Sequence, residues 1–141
     1  MATTRTANAH WEGSLFEGAG TVALSTSGLA TFDVSWASRA EAANGKTSPE
    51  ELVAAAHASC FSMALSNGLA GAGHAPEALD TRADVTFQPG TGITAIALAV
   101  TGTVPGMSAE EFEAAAQDAK TNCPVSKALA GTTITLTATL A

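Results

Sequence analysis

The sequence predicts an α+β fold, and three observations carry that prediction. Short alternating segments stand before, between and after the helical ones, and hairpin turns rather than regular βαβ units join them. One long helical run sits in the middle of a chain of 141 residues, the size of a single domain. The expected order is an N-terminal β-meander, a long central buried helix, a β-hairpin, two shorter helices and a C-terminal strand.

Each element has its own signal. From His10 to Trp36, glycines separate short runs such as GTVALS and LATFDVSW, and the alternation of Phe32, Val34 and Trp36 fits half-buried strands. SRAEAANGKTSPEE then reads as a polar loop with Asn44-Gly45 as its turn, ending in a helix start. Thr47 or Ser48 can cap that start, Pro49 suits the first helical position, and Glu50 and Glu51 suit the positive end of the helix dipole. The helix is expected to run to Asn67 or Leu69 and to stop at the glycines of GLAGAGH. Ser59, Ser62 and Ser66 share one stripe, while alanines, Leu52, Val53, Phe61, Met63 and Leu65 cover most of the rest. A helix so apolar on every side is expected at the centre of the fold.

LDTRADVTFQ and ITAIALAVTGTV, joined by PGTG, read as a hairpin whose second strand is apolar enough to be expected buried on both faces. A helix follows with Ser108 as N-cap and Glu111 three residues on, a capping box. NCPVSKALAG predicts a second short helix ending at Gly131, and TTITLTATL a closing strand.

Composition excludes some functions. The net charge is −7 with only six Lys and Arg, so little could neutralise phosphate, and nucleic acid and anionic membranes are discounted as partners. The start, MATTRTANAHWEG, lacks a signal-peptide core, and no uninterrupted apolar run reaches the roughly eighteen residues of a membrane span, so a cytoplasmic location is expected. A reducing compartment disfavours a structural disulfide, which leaves the two cysteines as free thiols or a redox pair. The histidines lack metal-ligand spacing, no CxxC or HExxH is present, and GTG and GAG are turn glycines.

The candidate chemistry lies with the thiols. Cys123 precedes Pro124 and a helical run, where the helix dipole favours a thiolate. Cys60 sits in the middle of a helix among alanines, where burial without a cation raises its pKa and leaves it inert. Local physics thus nominates Cys123, and either thiol also reads as a small buried hydrophobe. His57, one turn before Cys60, could form a Cys-His pair of a hydrolase or acyl transferase, or be a hydrogen-bonded core residue. Arg39 and Glu50 could tune a thiolate, or be a solvated loop charge and a helix-terminal acid.

Taken together, TSPEELVAAAHASCFSMALS and the later AKTNCPVSKAL closely resemble the OsmC/Ohr family of osmotically induced proteins and organic hydroperoxide reductases. The similarity extends to AHWEG, LDTRADVTF, VPGMSAEEFEAAAQDAK and TITLTATL, which is nearly the whole chain. The resemblance implies an OsmC-like fold in an intertwined homodimer, and a thiol-dependent peroxidase of stress defence without metal, haem or flavin. It implies that Cys60 is the peroxidatic cysteine, converted by an organic hydroperoxide to a sulfenic acid, and that Cys123 resolves it as a disulfide. It further implies that Glu50 is the active-site glutamate and Arg39 the arginine of the OsmC branch; the Ohr branch takes its arginine from an earlier segment, where this chain has only Arg5. Ten residues of helix rise about 15 Å, so Glu50 and Cys60 of one site are expected from different subunits. An external thiol or dithiol, with a dihydrolipoyl group among the candidates, is the implied electron donor. Lys120 and Lys127 flank Cys123 and could guide an acidic donor or be solvated charges. A non-catalytic ligand-binding stress protein is the other reading the residues leave open.

Overall fold

Strands β1 (Asn8–Glu12), β2 (Ala19–Ala23) and β3 (Thr31–Val34) form an antiparallel sheet in chain order, as the glycine-punctuated N-terminus implies. This computed structural model describes residues Met1–Ala141. Gly20 pairs with Trp11 across β1 and β2, and a side chain there would run into the His10 carbonyl and the Trp11 ring. Trp36 does not extend β3. It opens a short helix, α1 (Trp36–Ala40), capped by reciprocal Ser35 and Ser38 hydrogen bonds. Asn44-Gly45 forms the expected turn, both residues at positive φ, 48° and 77°.

Helix α2 (Pro49–Gly71) starts where expected, with the Ser48 hydroxyl accepting from the Glu51 N–H at 3.1 Å. The chain divides into two compact units, Met1–Leu52 and Val53–Ala141, and the boundary falls after the first turn of this helix.

In the second unit, β4 (Ala78–Gln88) and β5 (Gly92–Thr103) form the expected hairpin, with a register shift between Thr86 and Phe87. Helices α3 (Ala109–Asn122) and α4 (Pro124–Ala128) follow, and β6 (Thr133–Leu140) returns parallel to β5. The sheet order is β4-β5-β6. The capping box of α3 is present in both directions, Ser108 to Glu111 and back. The core joins Phe61, Leu65 and Leu69 of α2 to Leu98 and Val100 of β5 and to Phe112, Ala116 and Ala119 of α3.

Two expectations of burial are corrected. β5 is buried on one face only: Ile96, Leu98 and Val100 point inward, while Ala97, Ala99, Thr101 and Thr103 are exposed. Alanine reads as apolar in a sequence yet tolerates water, so the unbroken apolar run concealed a strand of period two. Likewise α2 buries His57, Phe61, Leu65 and Leu69 but leaves Ala55, Ala56, Ser59 and Met63 exposed, Met63 by 72%. By length and mean hydropathy, 1.2, α2 could cross a membrane, a property its interrupting serines and His57 hid from a search for unbroken apolar runs. Its packing face, built into the core beneath β5, is that of a core helix.

Candidate active site

Each compact unit carries one part of the chemistry expected from the sequence. In the first, α1 presents Arg39 and the first turn of α2 presents Glu50. Arg39 Nε donates to both carboxylate oxygens of Glu50, at 3.0 and 3.2 Å, and Nη2 donates to Oε1 at 2.8 Å. This is the bidentate pairing that a planar guanidinium makes with a carboxylate. Glu50 is buried and Arg39 about a third exposed. A buried glutamate at a helix N-terminus would be costly without its partner, so the pair fixes both side chains.

Beside them lies an apolar cavity of about 460 Å³, walled by Trp11, Leu15, Val22, Val34 and Trp36, with Arg39 as its charged member. Trp36 is itself held by an edge-to-face contact with Phe16, ring centroids 5.6 Å apart. The sequence reading found Arg39 and missed this wall, although the short spacing from Trp11 to Trp36 across three strands is the pattern that builds it.

In the second unit, Cys60 and Cys123 are free thiols, and their side chains interact directly. Cys60 comes from the middle of α2, half-buried; Cys123 is fully buried and ends α3 and begins α4 at once. Burial pushes the Cys60 thiol up, the Val125 backbone N–H offsets part of that, and the neighbouring Cys123 pushes it up further. Burial also opposes a thiolate at Cys123, but the Ser126 N–H, the Cys60 thiol, the Ser126 hydroxyl and the Val125 N–H together outweigh it and leave Cys123 below the usual thiol range. Within the chain, then, Cys123 is the more readily ionised of the two thiols, in the direction that its place at a helix start implied.

His57 does not pair with Cys60. Its Nε2 lies 2.7 Å from the Ser126 hydroxyl, 69 residues away, and its Nδ1 has no partner. The Cys60-His57 hydrolase reading is thereby corrected: the ring is fully buried, burial pushes its pKa down, Nε2 is held by Ser126, and neither ring nitrogen bonds to Cys60. Ser126 is the site residue that sequence reasoning overlooked, and its position three residues after Cys123, in the first turn of a helix, was the available signal. No group of three or more His, Cys, Asp or Glu side chains comes together as metal ligands.

Comparison with known proteins places the chain in a family. The family model for OsmC-like proteins matches residues 42–138. Peroxiredoxin OsmC of Escherichia coli (strain K12) is 44% identical over 132 residues, 92% of each chain, and the Shigella flexneri protein of that name gives the same values. Among solved structures, an organic hydroperoxide resistance protein OsmC from Legionella pneumophila has a TM-score of 0.73 at 25% identity, covering 100% of this chain and 98% of the other. The organic hydroperoxide resistance protein OhrB of Bacillus subtilis shares the fold at a TM-score of 0.66 and 22% identity, over 96% of this chain and 98% of its own. The match over residues 42–138 and the 44% identity over 92% of the chain show that the chain, with its α+β architecture, belongs to the OsmC-like protein family.

Proposed function

We propose that this protein is a thiol-dependent peroxidase of oxidative and osmotic stress defence that reduces organic hydroperoxides to alcohols. The observation that carries the reading is the contact between its two free cysteines, one from α2 and one at the head of α4. The relatives named peroxiredoxin OsmC support the enzyme class, and the Legionella protein's name supports the substrate class.

In the proposed cycle the Cys60 thiolate attacks the terminal oxygen of the hydroperoxide. The O–O bond breaks, sulfur keeps the hydroxyl as a sulfenic acid, and the alkoxide takes up a proton and leaves as the alcohol. Cys123 then displaces that hydroxyl from Cys60 sulfur, forming the disulfide and releasing water. An external dithiol, of which a dihydrolipoyl group is the favoured class, returns both cysteines to thiols in the cytoplasm. Sulfur carries every electron transferred, so the cycle calls for no metal, haem or flavin.

Cys60 needs help to ionise, because burial and Cys123 both hold its proton on. Arg39 supplies a charge that burial cannot remove, and Glu50 aims it. Ten residues of α2 separate Glu50 from Cys60, a rise of about 15 Å, so we assign the pair serving each Cys60 to the second subunit of a homodimer. The apolar cavity beside Arg39 favours a hydroperoxide with an alkyl tail, whose burial is worth about 25 cal/mol per Å².

Single-turnover mixing with cumene hydroperoxide tests the cycle. Two thiols should be lost per chain. Cys60→Ser should form no sulfenic acid, and Cys123→Ser should trap it. Retention of both thiols would favour a non-catalytic binding protein, and a faster reaction with hydrogen peroxide would count against the apolar cavity as the substrate site.

A further inference from the structure

His57 and Ser126 are buried polar side chains that the cycle above leaves without a task. An imidazole sealed in a core with Nδ1 unpartnered is unfavourable, and a phenyl or leucine side chain would fill the same space without an orphaned nitrogen. What His57 gains in return is one contact, Nε2 to the Ser126 hydroxyl at 2.7 Å.

The direction of that contact follows from what lies beyond it. Ser126 stands in the first turn of α4, three residues after its N-cap Cys123, the position from which a helix residue's N–H and side chain face the N-cap side chain; both Ser126 groups favour the Cys123 thiolate. A serine hydroxyl has one proton. If it is donated to sulfur, the serine oxygen can only accept from His57, so Nε2 carries the ring proton and Nδ1 is the bare nitrogen. A bare lone pair, rather than an unpaired N–H, fits the absence of any partner there.

We propose that His57 is a positioning residue for the second thiol step: its Nε2–H fixes the Ser126 hydroxyl with its proton aimed at Cys123 Sγ, presenting Cys123 as the nucleophile that closes the disulfide. The proposal rests on the peroxidase reading. In the closing step Cys123 Sγ bonds to Cys60 Sγ, the S–O bond of the sulfenic acid breaks, and hydroxide leaves and takes up the proton that Cys123 gave to solvent when it ionised. In the reopening step the external dithiol attacks Cys60 Sγ, the S–S bond breaks, and its electron pair goes to Cys123 Sγ, where the Ser126 hydroxyl again donates. His57 stays neutral throughout and passes no proton.

Three variants of the full chain test this: His57→Phe, which fills the space without a donor, His57→Gln, which keeps an N–H, and Ser126→Ala. After one equivalent of cumene hydroperoxide, disulfide closure in His57→Phe and Ser126→Ala should slow about tenfold to a hundredfold relative to sulfenic acid formation in the same variant, the scale of losing one hydrogen bond to a charged group. The sulfenic acid should then accumulate and be trapped by dimedone, and His57→Gln should restore much of the closure rate. Unchanged closure in a folded His57→Phe overturns the proposal. So does ¹⁵N NMR of the unsubstituted protein showing the ring proton on Nδ1, a readout independent of any variant's folding. In a Cys60→Ser background the ultraviolet thiolate band of Cys123 should weaken with His57→Phe and return with His57→Gln, whether or not peroxide is consumed. If that band responds while hydroperoxide oxidises no thiol in the unsubstituted protein, the peroxidase reading fails and the positioning of Cys123 stands.

Discussion

At the scale of single residues, Gly102 shows how closely the second unit is packed. A Cβ built there would stand 2.5 Å from Cζ of Phe112, whose ring is fully buried. Gly102→Ala is therefore expected to destabilise the fold by about 1–3 kcal/mol, the usual cost of overpacking, and a urea midpoint equal to that of the unsubstituted protein would show that the ring moves aside freely. His57 gives a pH dependence of known sign. Burial lowers its pKa below the ordinary value of about 6.5, so the unfolded chain binds the proton more readily than the folded one. Its contribution is whole above about 6.5 and is lost as the pH falls from there toward the folded value. The urea midpoint should drop between about pH 7 and pH 5.5, and His57→Gln should flatten that drop; an identical drop in the variant would assign it to other groups. None of this was legible in the sequence. Gly102 looked like one small residue in an apolar strand, and the partner of His57 lies beyond a hairpin and a helix, a distance across which local patterns carry no information. Local chemistry makes Cys60, Cys123, Arg39 and Glu50 candidates and favours Cys123 as the reactive thiol; only the family resemblance gives each of the four its role.

Elements were legible wherever a terminus carried its own chemistry. Ser48-Pro49-Glu50-Glu51 marks the start of α2, and Ser108 with Glu111 marks α3, each because side chains there satisfy N–H groups that the helix cannot. The Ser108 box is expected to contribute about 1 kcal/mol, so Ser108→Ala should lower stability by that amount in a urea titration, and no change would mean that core contacts alone hold α3. Glu111 belongs to the same device: hydrogen bonds from the Ser108 backbone N–H, and then its side chain, hold the carboxyl below the ordinary value. A depressed carboxyl stabilises the fold above its unfolded pKa and ceases to do so as the pH falls through its folded one, so the Ser108→Ala deficit should shrink in acid. The missed element, α1, is five residues long, and its Ser35 and Ser38 capping signal stood next to an alternating run that continued the strand pattern as far as Trp36. Period two and period 3.6 cannot be separated over so few residues.

At the scale of the whole molecule, the exposed face of α2 is the feature that a single chain does not explain. Ala55, Ala56, Ser59 and Met63 are small or apolar and open to solvent, and Phe16 and Leu29 are more than 70% exposed. Apolar surface in that amount calls for cover, and small side chains let a second backbone come close. In the proposed cycle a second copy covering α2 would also bring Arg39 to Cys60, since about 15 Å of helix separates Cys60 from Glu50 of its own chain. One complementation experiment tests both the cover over α2 and the shared site. Cys60→Ser and Arg39→Ala chains are each expected to be inactive alone. If Arg39 acts on the partner's thiol, a mixed dimer holds one site with both intact groups, and random pairing of equal amounts of the two chains should recover about a quarter of the unsubstituted activity. If each site takes both groups from one chain, every site in the mixture lacks one of them and no activity returns. Met63→Glu, which puts a charge on the exposed face of α2, should lower the mass measured by light scattering and abolish the recovery together. Recovery that survives a shift to monomer would sink the shared site, since a monomer has no partner from which to borrow the arginine.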